Sequence, residues 1–326
     1  MGARGHLGVL VFALLSAACP GAVVTSGDGA PDRVSPTDVA RHEGTALLDR
    51  VSLADTGARE ARLDVTVVPP LTNVTLLVNL GDSLGAGYYA TAGHSYRALL
   101  VNNDNLLYPA YAGRDLTSRF PGIKTVDKAK SGATTSGVLQ QALSVGGNAV
   151  GNTLVVVSAG GNDFNDNLLT MVDPLKAQAM AQQATANIKK MIDHFRDKAL
   201  FPGQLTFVML DVFDPTDGTG NVPPLPNLTD FCVTIQKLGF LVGPIAVQNL
   251  AAFDQTYATF AAQQGVLLGG IHAAFLGHGY HHNDPASPHY VPTDPTLWFH
   301  TDCAHGNDRG HHEIRRVIWK VLTGES

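Results

Sequence analysis

The feature that most constrains this chain is a recurring short, mainly apolar run rich in β-branched side chains. Residues 74–80 are the clearest case, and the run stops at Gly81. Such a run, without strict polar alternation, predicts a strand covered on both faces, as in parallel sheets packed between helices. The same pattern recurs at 153–158 and 205–210, and more weakly at 123–126 and 266–268.

The segments between these runs predict helices. Residues 174–196 and 244–264 have helical length and composition, and each opens with a proline suited to a first helical turn. A last helix is predicted at 308–322. Strands separated by helices pair in parallel through right-handed crossovers. The expected fold is therefore α/β, a three-layer α/β/α sandwich with a central parallel sheet, and sites should lie at the carboxyl ends of the strands.

The first residues are typical of an export signal. Arg4 precedes an apolar run at 7–18, too short to cross a hydrocarbon core about 30 Å thick. We predict a signal peptide at 1–18 and an exported protein that is secreted, periplasmic or membrane-anchored. Small residues precede Cys19, a candidate for lipidation, although Ser16 stands where lipoprotein signals prefer leucine. The alternative is ordinary cleavage.

Residues 19–70 are rich in Gly, Ala, Asp, Ser and Pro and lack a sustained apolar period. This composition predicts a flexible tether, which leaves 71–326 as the single folded domain. The formal net charge is −6, so the chain has no excess of basic groups to neutralise phosphates. We therefore expect no nucleic-acid partner.

Three residues at opposite ends of this domain supply the parts of a nucleophilic site. Ser83 lies in Gly-Asp-Ser-Leu directly after the first predicted strand, and Asp302 and His305 lie in Asp-Cys-Ala-His. A nucleophilic serine needs a base to remove its proton and a carboxylate to orient that base. Taken alone, Gly-Asp-Ser is more often a simple turn.

Two further fragments follow other predicted strands. Ser-Gly-Ala-Thr at 131–134 contains Gly132, whose backbone N–H can approach a substrate closely, and Gly-Gly-Asn-Asp at 160–163 contains Asn162, a side-chain donor. Each alone is more often loop structure. The four blocks in this order resemble those of the GDSL, or SGNH, hydrolase family over residues 74–322.

The resemblance implies a flavodoxin-like sandwich and hydrolysis of carboxylic esters without a cofactor or metal. It implies that Ser83 is the nucleophile, His305 the general base and acid, and Asp302 the residue that orients His305. The oxyanion donors would be the backbone N–H groups of Ser83 and Gly132 and the side-chain amide of Asn162. The expected protein is a monomeric esterase or lipase acting on a small-molecule, lipid or acetylated-glycan ester.

Other interpretations stay open. A carbohydrate deacetylase or a thioesterase would use the same fold, and a catalytically silent ligand-binding module would have lost the chemistry. Residues 81–85 also fit the G-x-S-x-G elbow of α/β-hydrolases. That elbow normally follows several strands and has its acid and histidine far apart. Here one predicted strand precedes Ser83, and Asp302 and His305 share one short fragment.

The two cysteines within the predicted domain, Cys232 and Cys303, are expected to form a disulfide if the chain is exported, with two buried thiols as the alternative. Such a bridge would attach the Asp-Cys-Ala-His fragment to the segment around Cys232.

Three segments have weaker signals. His278, His281 and His282, with Asp284, are candidate metal ligands, but their spacing matches no zinc pattern, and a polar loop bordering the cleft is preferred. Residues 214–221 resemble a calcium loop but lack its length and final glutamate, so a turn is preferred. The apolar stretch 238–245 is expected to be core packing, with an acyl pocket or lid as the alternative.

Overall fold

The computed structural model describes residues 71–165 and 172–325. The predicted signal peptide at 1–18, Cys19 and the predicted tether at 19–70 lie outside these residues. Within them the strands are β1 (Val74–Gly81), β2 (Lys124–Asp127), β3 (Asn152–Ser158), β4 (Leu205–Leu210) and β5 (Leu267–Gly269). The α-helices are α1 (Tyr96–Val101), α2 (Leu116–Arg119), α3 (Thr135–Leu143), α4 (Gly161–Asn165), α5 (Pro174–Phe195), α6 (Asp230–Gln264), α7 (Ile271–Phe275) and α8 (Asp308–Thr323).

All five strands form one sheet in the order β2-β1-β3-β4-β5, and each neighbouring pair is parallel. Val78 on β1 pairs with Val126 on β2 and with Val155 on β3. The predicted α/β fold with a central parallel sheet is confirmed.

Alternating side chains of the central strands enter two separate cores. On one face Leu77 and Leu154 pack in a cluster that contains Trp319 of α8. On the other face Val78 and Val155 pack in a cluster to which α3, α5 and α6 contribute side chains. Because both faces of the central strands are covered, these strands read as apolar runs in the sequence.

Two predicted helices lie where expected. The helix predicted at 174–196 is α5, and Asp173 caps it by accepting hydrogen bonds from the N–H groups of Leu175 and Lys176. The helix predicted at 308–322 is α8, which begins after the cap residue Asn307 and ends at a left-handed Gly324.

The prediction for the helix before β5 was wrong at its start. It placed the first turn at Pro244, but α6 begins at Asp230, and Pro244 lies inside the helix. The true start is capped by Thr229, whose side chain accepts from the N–H of Cys232. A proline inside a helix lowers helix stability by about 3 kcal/mol relative to alanine. In α6 this proline directly follows Gly243, which lies against Gly220. A Cβ on Gly243 would come within 1.8 Å of the Gly220 carbonyl oxygen.

None of the helices in the described residues combines the length and apolar character needed to cross a bilayer.

Candidate active site

The Gly-Asp-Ser block forms a fixed turn at the carboxyl end of β1. Gly81 has φ 149°, and a Cβ there would come within 2.2 Å of Ser158 Oγ, so only glycine fits. The buried carboxylate of Asp82 accepts hydrogen bonds from the N–H of Leu84 and from Ser158 Oγ, both at 3.0 Å. Its burial raises the pKa of Asp82. Gly81 and Asp82 thus hold Ser83 at the carboxyl end of β1.

Ser83, His305 and Asp302 form one hydrogen-bonded array. His305 Nε2 lies 2.6 Å from Ser83 Oγ, and His305 Nδ1 lies 2.5 Å from Asp302 Oδ2. Asp302 Oδ1 also accepts from the N–H of His305 at 3.1 Å. Since a carboxylate only accepts, Nδ1 carries the proton and Nε2 is free to accept from the serine hydroxyl. The array therefore has the polarity needed to activate Ser83.

The fragment that carries Asp302 and His305 is held at several points. The His300 N–H donates to the His305 carbonyl oxygen at 2.8 Å, and the Cys303 N–H donates to Tyr280 Oη at 3.1 Å. Cys303 has a left-handed φ of 63° and forms a disulfide with Cys232, with the two Cα atoms 5.1 Å apart. The bridge joins this fragment to the first turn of α6.

The expected oxyanion donors differ in position. Asn162 lines the same cavity as Ser83 and His305, and its Nδ2 donates to the Ala133 carbonyl oxygen at 3.0 Å. An amide nitrogen has two protons, so one remains for a ligand. Gly132 has φ 80° with open space around it and does not line the described cavity.

The last aspartate of the Gly-Gly-Asn-Asp block holds the loops together. Asp163 accepts from the N–H of Thr135 at 2.8 Å and from Thr135 Oγ1 at 2.7 Å. This contact fixes the start of α3 against α4, next to Asn162. Gly160 is required for a different reason: it has φ 118°, and a Cβ there would come within 2.7 Å of Tyr257 Oη.

A cavity of about 180 Å³ opens at Ser83 and extends toward α6. Ser83, Asn162 and His305 lie on its wall, and most of its remaining lining is apolar. Sequence reasoning missed these wall residues, because α4, the segment after β4, α6 and α7 bring them together from distant parts of the chain: Phe164, Val212, Phe213, Ala246, Val247, Leu250 and Ile271.

The preferred interpretation of 238–245 as core packing was wrong where the structure describes side chains. Gly243 lines the cavity, and Ile245 is 44% exposed. The reason is the long α6 helix, which passes along the cavity instead of beginning there. The side chains of 238–242 lie outside the described set.

Asp211 lines the cavity as well and belongs to a second titratable cluster. Its Oδ1 accepts from the N–H of His272 at 2.9 Å, and burial raises the pKa of Asp211 to about 7. His272 Nδ1 lies 2.6 Å from Asp254 Oδ2. Burial alone would lower the pKa of His272, but the hydrogen bond and charge of Asp254 raise it to about 9.

The three candidate metal-binding histidines are engaged in contacts with neighbouring residues. The His278 ring stacks on Trp298 at 3.5 Å, and His281 Nε2 lies 3.1 Å from Thr219 Oγ1. His282 Nδ1 donates to the Gly279 carbonyl oxygen at 2.9 Å. Over residues 71–165 and 172–325, no cluster of three or more His, Cys, Asp or Glu side chains has metal-binding geometry. The preferred interpretation placed this loop at the border of the cleft, and it was wrong for these three rings, which do not line the described cavity. The reason is that the loop folds onto Trp298 and the 214–221 turn.

The predicted turn at 214–221 is confirmed. Asp214 accepts from the N–H of Thr216 at 2.8 Å and from that of Gly218 at 2.9 Å. Asp217 follows with a left-handed φ of 52° and accepts from the N–H groups of Gly277 and Gly279, both at 2.8 Å. Its carboxylate therefore anchors the loop that contains the three histidines.

Two tyrosines that sequence reasoning missed border His305. Tyr88 is 46% exposed and its ring centroid lies 4.8 Å from that of His305. Tyr89 is 39% exposed, stacks on His300 at 3.6 Å and lies 5.7 Å from His305. Neither tyrosine lines the cavity. No sequence pattern distinguishes them from ordinary surface tyrosines.

The chain belongs to the GDSL-like Lipase/Acylhydrolase family, whose model matches residues 80–312. This confirms the resemblance of the four blocks and makes the chain a hydrolase. No curated protein matches its sequence.

The chain is also similar to several solved structures, of which three are described. An extracellular lipase from Streptomyces rimosus is 19% identical, with a TM-score of 0.48, covering 76% of this chain and 100% of that one. Phospholipase A1 from Streptomyces albidoflavus NA297 is 20% identical, with a TM-score of 0.45, covering 76% and 99%. A catalytic mutant of an acetylxylan esterase from Geobacillus stearothermophilus is 14% identical, with a TM-score of 0.42, covering 78% and 96%.

Proposed function

We propose that this hydrolase is an exported serine esterase or lipase that cleaves carboxylic esters through an acyl-enzyme on Ser83. The observation that carries the proposal is the array in which His305 Nε2 lies 2.6 Å from Ser83 Oγ while its Nδ1 lies 2.5 Å from Asp302. The distance between His305 Nε2 and Ser83 Oγ is within the range needed for proton transfer from a serine to a base.

In the first half-reaction Ser83 Oγ attacks the ester carbonyl carbon, and its proton passes to His305 Nε2. Asp302 stabilises the imidazolium that forms and keeps its ring in position. The carbonyl oxygen becomes an oxyanion, for which Asn162 Nδ2 and the N–H groups of Ser83 and Gly132 are the candidate donors. When the intermediate collapses, the bond to the alcohol oxygen breaks, and His305 returns its proton to that oxygen.

In the second half-reaction water replaces the alcohol beside His305. The water gives a proton to Nε2 and its oxygen bonds to the acyl carbon. The Ser83 ester bond then breaks, Oγ regains a proton from His305, and the carboxylic acid leaves. No external cofactor is needed to balance either step.

The cavity favours an apolar acyl group. Its walls include Phe164, Val247 and Leu250, and it begins at Ser83. Burial of an apolar chain there would be favourable by about 0.8 kcal/mol for each CH₂ group. We therefore expect esters with an aliphatic acyl chain to be better substrates than acetyl esters, which separates a lipase or esterase from a carbohydrate deacetylase.

A panel of p-nitrophenyl esters of increasing acyl length tests the proposal, assayed on the wild type and Ser83→Ala. The wild type should hydrolyse the panel and Ser83→Ala should not. A fluorophosphonate probe should label the wild type but not Ser83→Ala. Ser144→Ala, which changes an exposed serine at the end of α3, is the matched control and should keep both properties.

Equal turnover by the wild type and Ser83→Ala would refute the nucleophile assignment. No turnover and no labelling of the wild type would favour a silent binding module. A strong preference for acetyl esters would point to a deacetylase, and a preference for matched thioesters to a thioesterase.

Export is supported by the Cys232–Cys303 disulfide, because such bonds persist in oxidising compartments. The apolar run at 7–18 would serve as a signal peptide that is cleaved, and Cys19 would serve as the site of a lipid anchor. These are the two alternatives for the mature protein. Fractionation and intact mass of the natural product test them: Cys19→Ala should release a membrane-bound form, and should change nothing if the mature chain is freely secreted.

A further inference from the structure

Tyr88 and Tyr89 are fixed to the same turn as Ser83. The Tyr88 N–H donates to the Ser83 carbonyl oxygen at 2.9 Å, so the backbone of Tyr88 is held next to that of the serine. The side chain of His311 in α8 holds the same backbone. Its Nε2 donates to the Tyr88 carbonyl oxygen at 3.2 Å, while its Nδ1 accepts from the N–H of Tyr96 at 3.3 Å. The position of the tyrosine pair relative to Ser83 is therefore set by the backbone on both sides.

Tyr89 has an unusual backbone conformation. Its φ is 62°, in the left-handed region that favours glycine or asparagine and is rare for a bulky aromatic residue. Strained residues of this kind persist where the surroundings over-determine them, and they cluster at functional sites. The conformation places the Tyr89 ring flat against His300, with an interplanar angle of 11°.

The two rings form a corner. Their centroids are 4.5 Å apart and their planes meet at 72°, and both rings remain partly exposed. Two partly exposed aromatic rings at a large angle let the flat ring of a ligand stack on one ring and contact the other. A linear chain would make smaller contacts with both rings.

The order of events in ester cleavage assigns the two sides of His305. The acyl group stays bonded to Ser83 through both half-reactions, so an enclosed cavity suits it. The alcohol receives its proton from His305, leaves first and is replaced there by water, so it must lie on the exposed side of His305. Tyr88 and Tyr89 both contact His305 and lie outside the cavity.

We propose that Tyr88 and Tyr89 form the subsite for the alcohol part of the ester and select alcohols that carry a ring, aryl or pyranose. This inference rests on the proposed function, since it requires an acyl-enzyme on Ser83. It adds a specificity for the leaving group to a site that otherwise selects only the acyl chain.

Partitioning of a common acyl-enzyme tests the subsite. The butyryl-enzyme is formed from p-nitrophenyl butyrate, and water competes with an added alcohol for it. An alcohol that attacks gives its proton to His305, forms a butyrate ester and releases Ser83 Oγ, which regains the proton. The ratio of new ester to butyric acid measures binding of the alcohol and is independent of how much active enzyme is present.

The wild type should transfer butyrate to benzyl alcohol or to methyl glucopyranoside more efficiently than to the linear controls 1-hexanol and glycerol. The comparison of benzyl alcohol with 1-hexanol reports a preference for aryl alcohols. The comparison of methyl glucopyranoside with glycerol reports a preference for sugars. Tyr89→Gly removes the ring and suits the left-handed backbone, and it should reduce the ring preference by about 3- to 10-fold. Tyr89→Phe keeps the ring and should retain the preference.

An equal ring preference in the wild type and Tyr89→Gly would overturn the subsite, and so would the absence of any ring preference in the wild type. Either result leaves the esterase proposal standing, because hydrolysis of the donor is recorded in the same assay. Equal donor hydrolysis by the wild type and Ser83→Ala would instead overturn both proposals. If Tyr89→Gly does not fold, Tyr88→Ala provides the same comparison from the other face of the corner.

Discussion

The disulfide between Cys232 and Cys303 should be a major source of stability. The two cysteines are 71 residues apart, so the bridge closes a long loop in the unfolded chain. The loop-closure relation for this length gives about 4 kcal/mol of stabilisation, through the lost entropy of the unfolded state. We expect removal of the bridge to lower the free energy of unfolding by that amount.

The variant that tests this is Cys232→Ala with Cys303→Ala. Both cysteines are buried, at 0% and 5% exposure, and alanine avoids burying the hydroxyl that serine would add. Urea unfolding, followed by circular dichroism and by fluorescence, should be measured for the oxidised wild type, the reduced wild type and the double variant. The last two should agree with each other and lie about 4 kcal/mol below the first.

Activity should respond differently from stability. The fragment that carries Asp302 and His305 keeps its contacts from His300 and Tyr280 when the bridge is absent, so well below the unfolding transition kcat should fall far less than stability does. A loss of less than about 1 kcal/mol in both the reduced wild type and the double variant would refute the loop-closure reasoning. Complete loss of activity in a folded reduced protein would refute the assignment of the bridge to stability alone.

Four other perturbations have definite expected results. Asn162→Ala should lower kcat by about 10²- to 10³-fold with little change in KM, because its amide would bind the charge that develops in the transition state. Asp302→Asn should lower kcat by about 10⁴-fold by favouring the wrong tautomer of the catalytic imidazole, which steady-state kinetics at fixed pH will show. Burial lowers the pKa of His311 to about 4, so between about pH 6.5 and pH 4 the unfolded chain binds more protons and acidification should destabilise the fold. Denaturation midpoints across that range should vary less in His311→Gln. Gly243→Ala should lower both the unfolding midpoint and activity on long acyl esters, because its Cβ would come within 1.8 Å of the Gly220 carbonyl oxygen in the cavity wall.

These results would be contradicted by specific outcomes. A rise in KM at constant kcat in Asn162→Ala would mean uniform substrate binding instead of oxyanion stabilisation. Unchanged kcat in Asp302→Asn would remove that residue from the mechanism. An equal pH dependence in His311→Gln would place the acid sensitivity elsewhere, and a wild-type profile for Gly243→Ala would mean that the backbone contact can relax.

The central strands could be predicted from sequence because burial on both faces leaves a direct trace. Val155 and Val156 face opposite cores and are both almost inaccessible, so the successive positions 154–157 of β3 all select an apolar side chain. The edge strand β2 gave a weaker signal because most of its residues are exposed. The short blocks that carry Ser83 and Asp302 were recognisable because each is a contiguous run of a few residues within one turn.

The remaining features depend on contacts that no local pattern records. Pro244 looks like a helix start, and only the packing of Gly243 against the Gly220 loop shows that the helix continues through it. The cavity wall combines residues of several elements. The corner formed by Tyr88 and Tyr89 depends on the left-handed backbone of Tyr89. A tyrosine in the sequence does not predict that conformation.

The hydrogen bond between His305 and Ser83 joins residues 222 positions apart. A ribosome adds roughly 5 to 20 residues per second, so Ser83 precedes its base by about 10 to 45 s during synthesis. Throughout that interval the nascent chain carries Ser83 without the imidazole that would activate it in the proposed mechanism. Under the proposed function, a product truncated before residue 305 would therefore lack the base and would leave the esters of the cell that makes it intact.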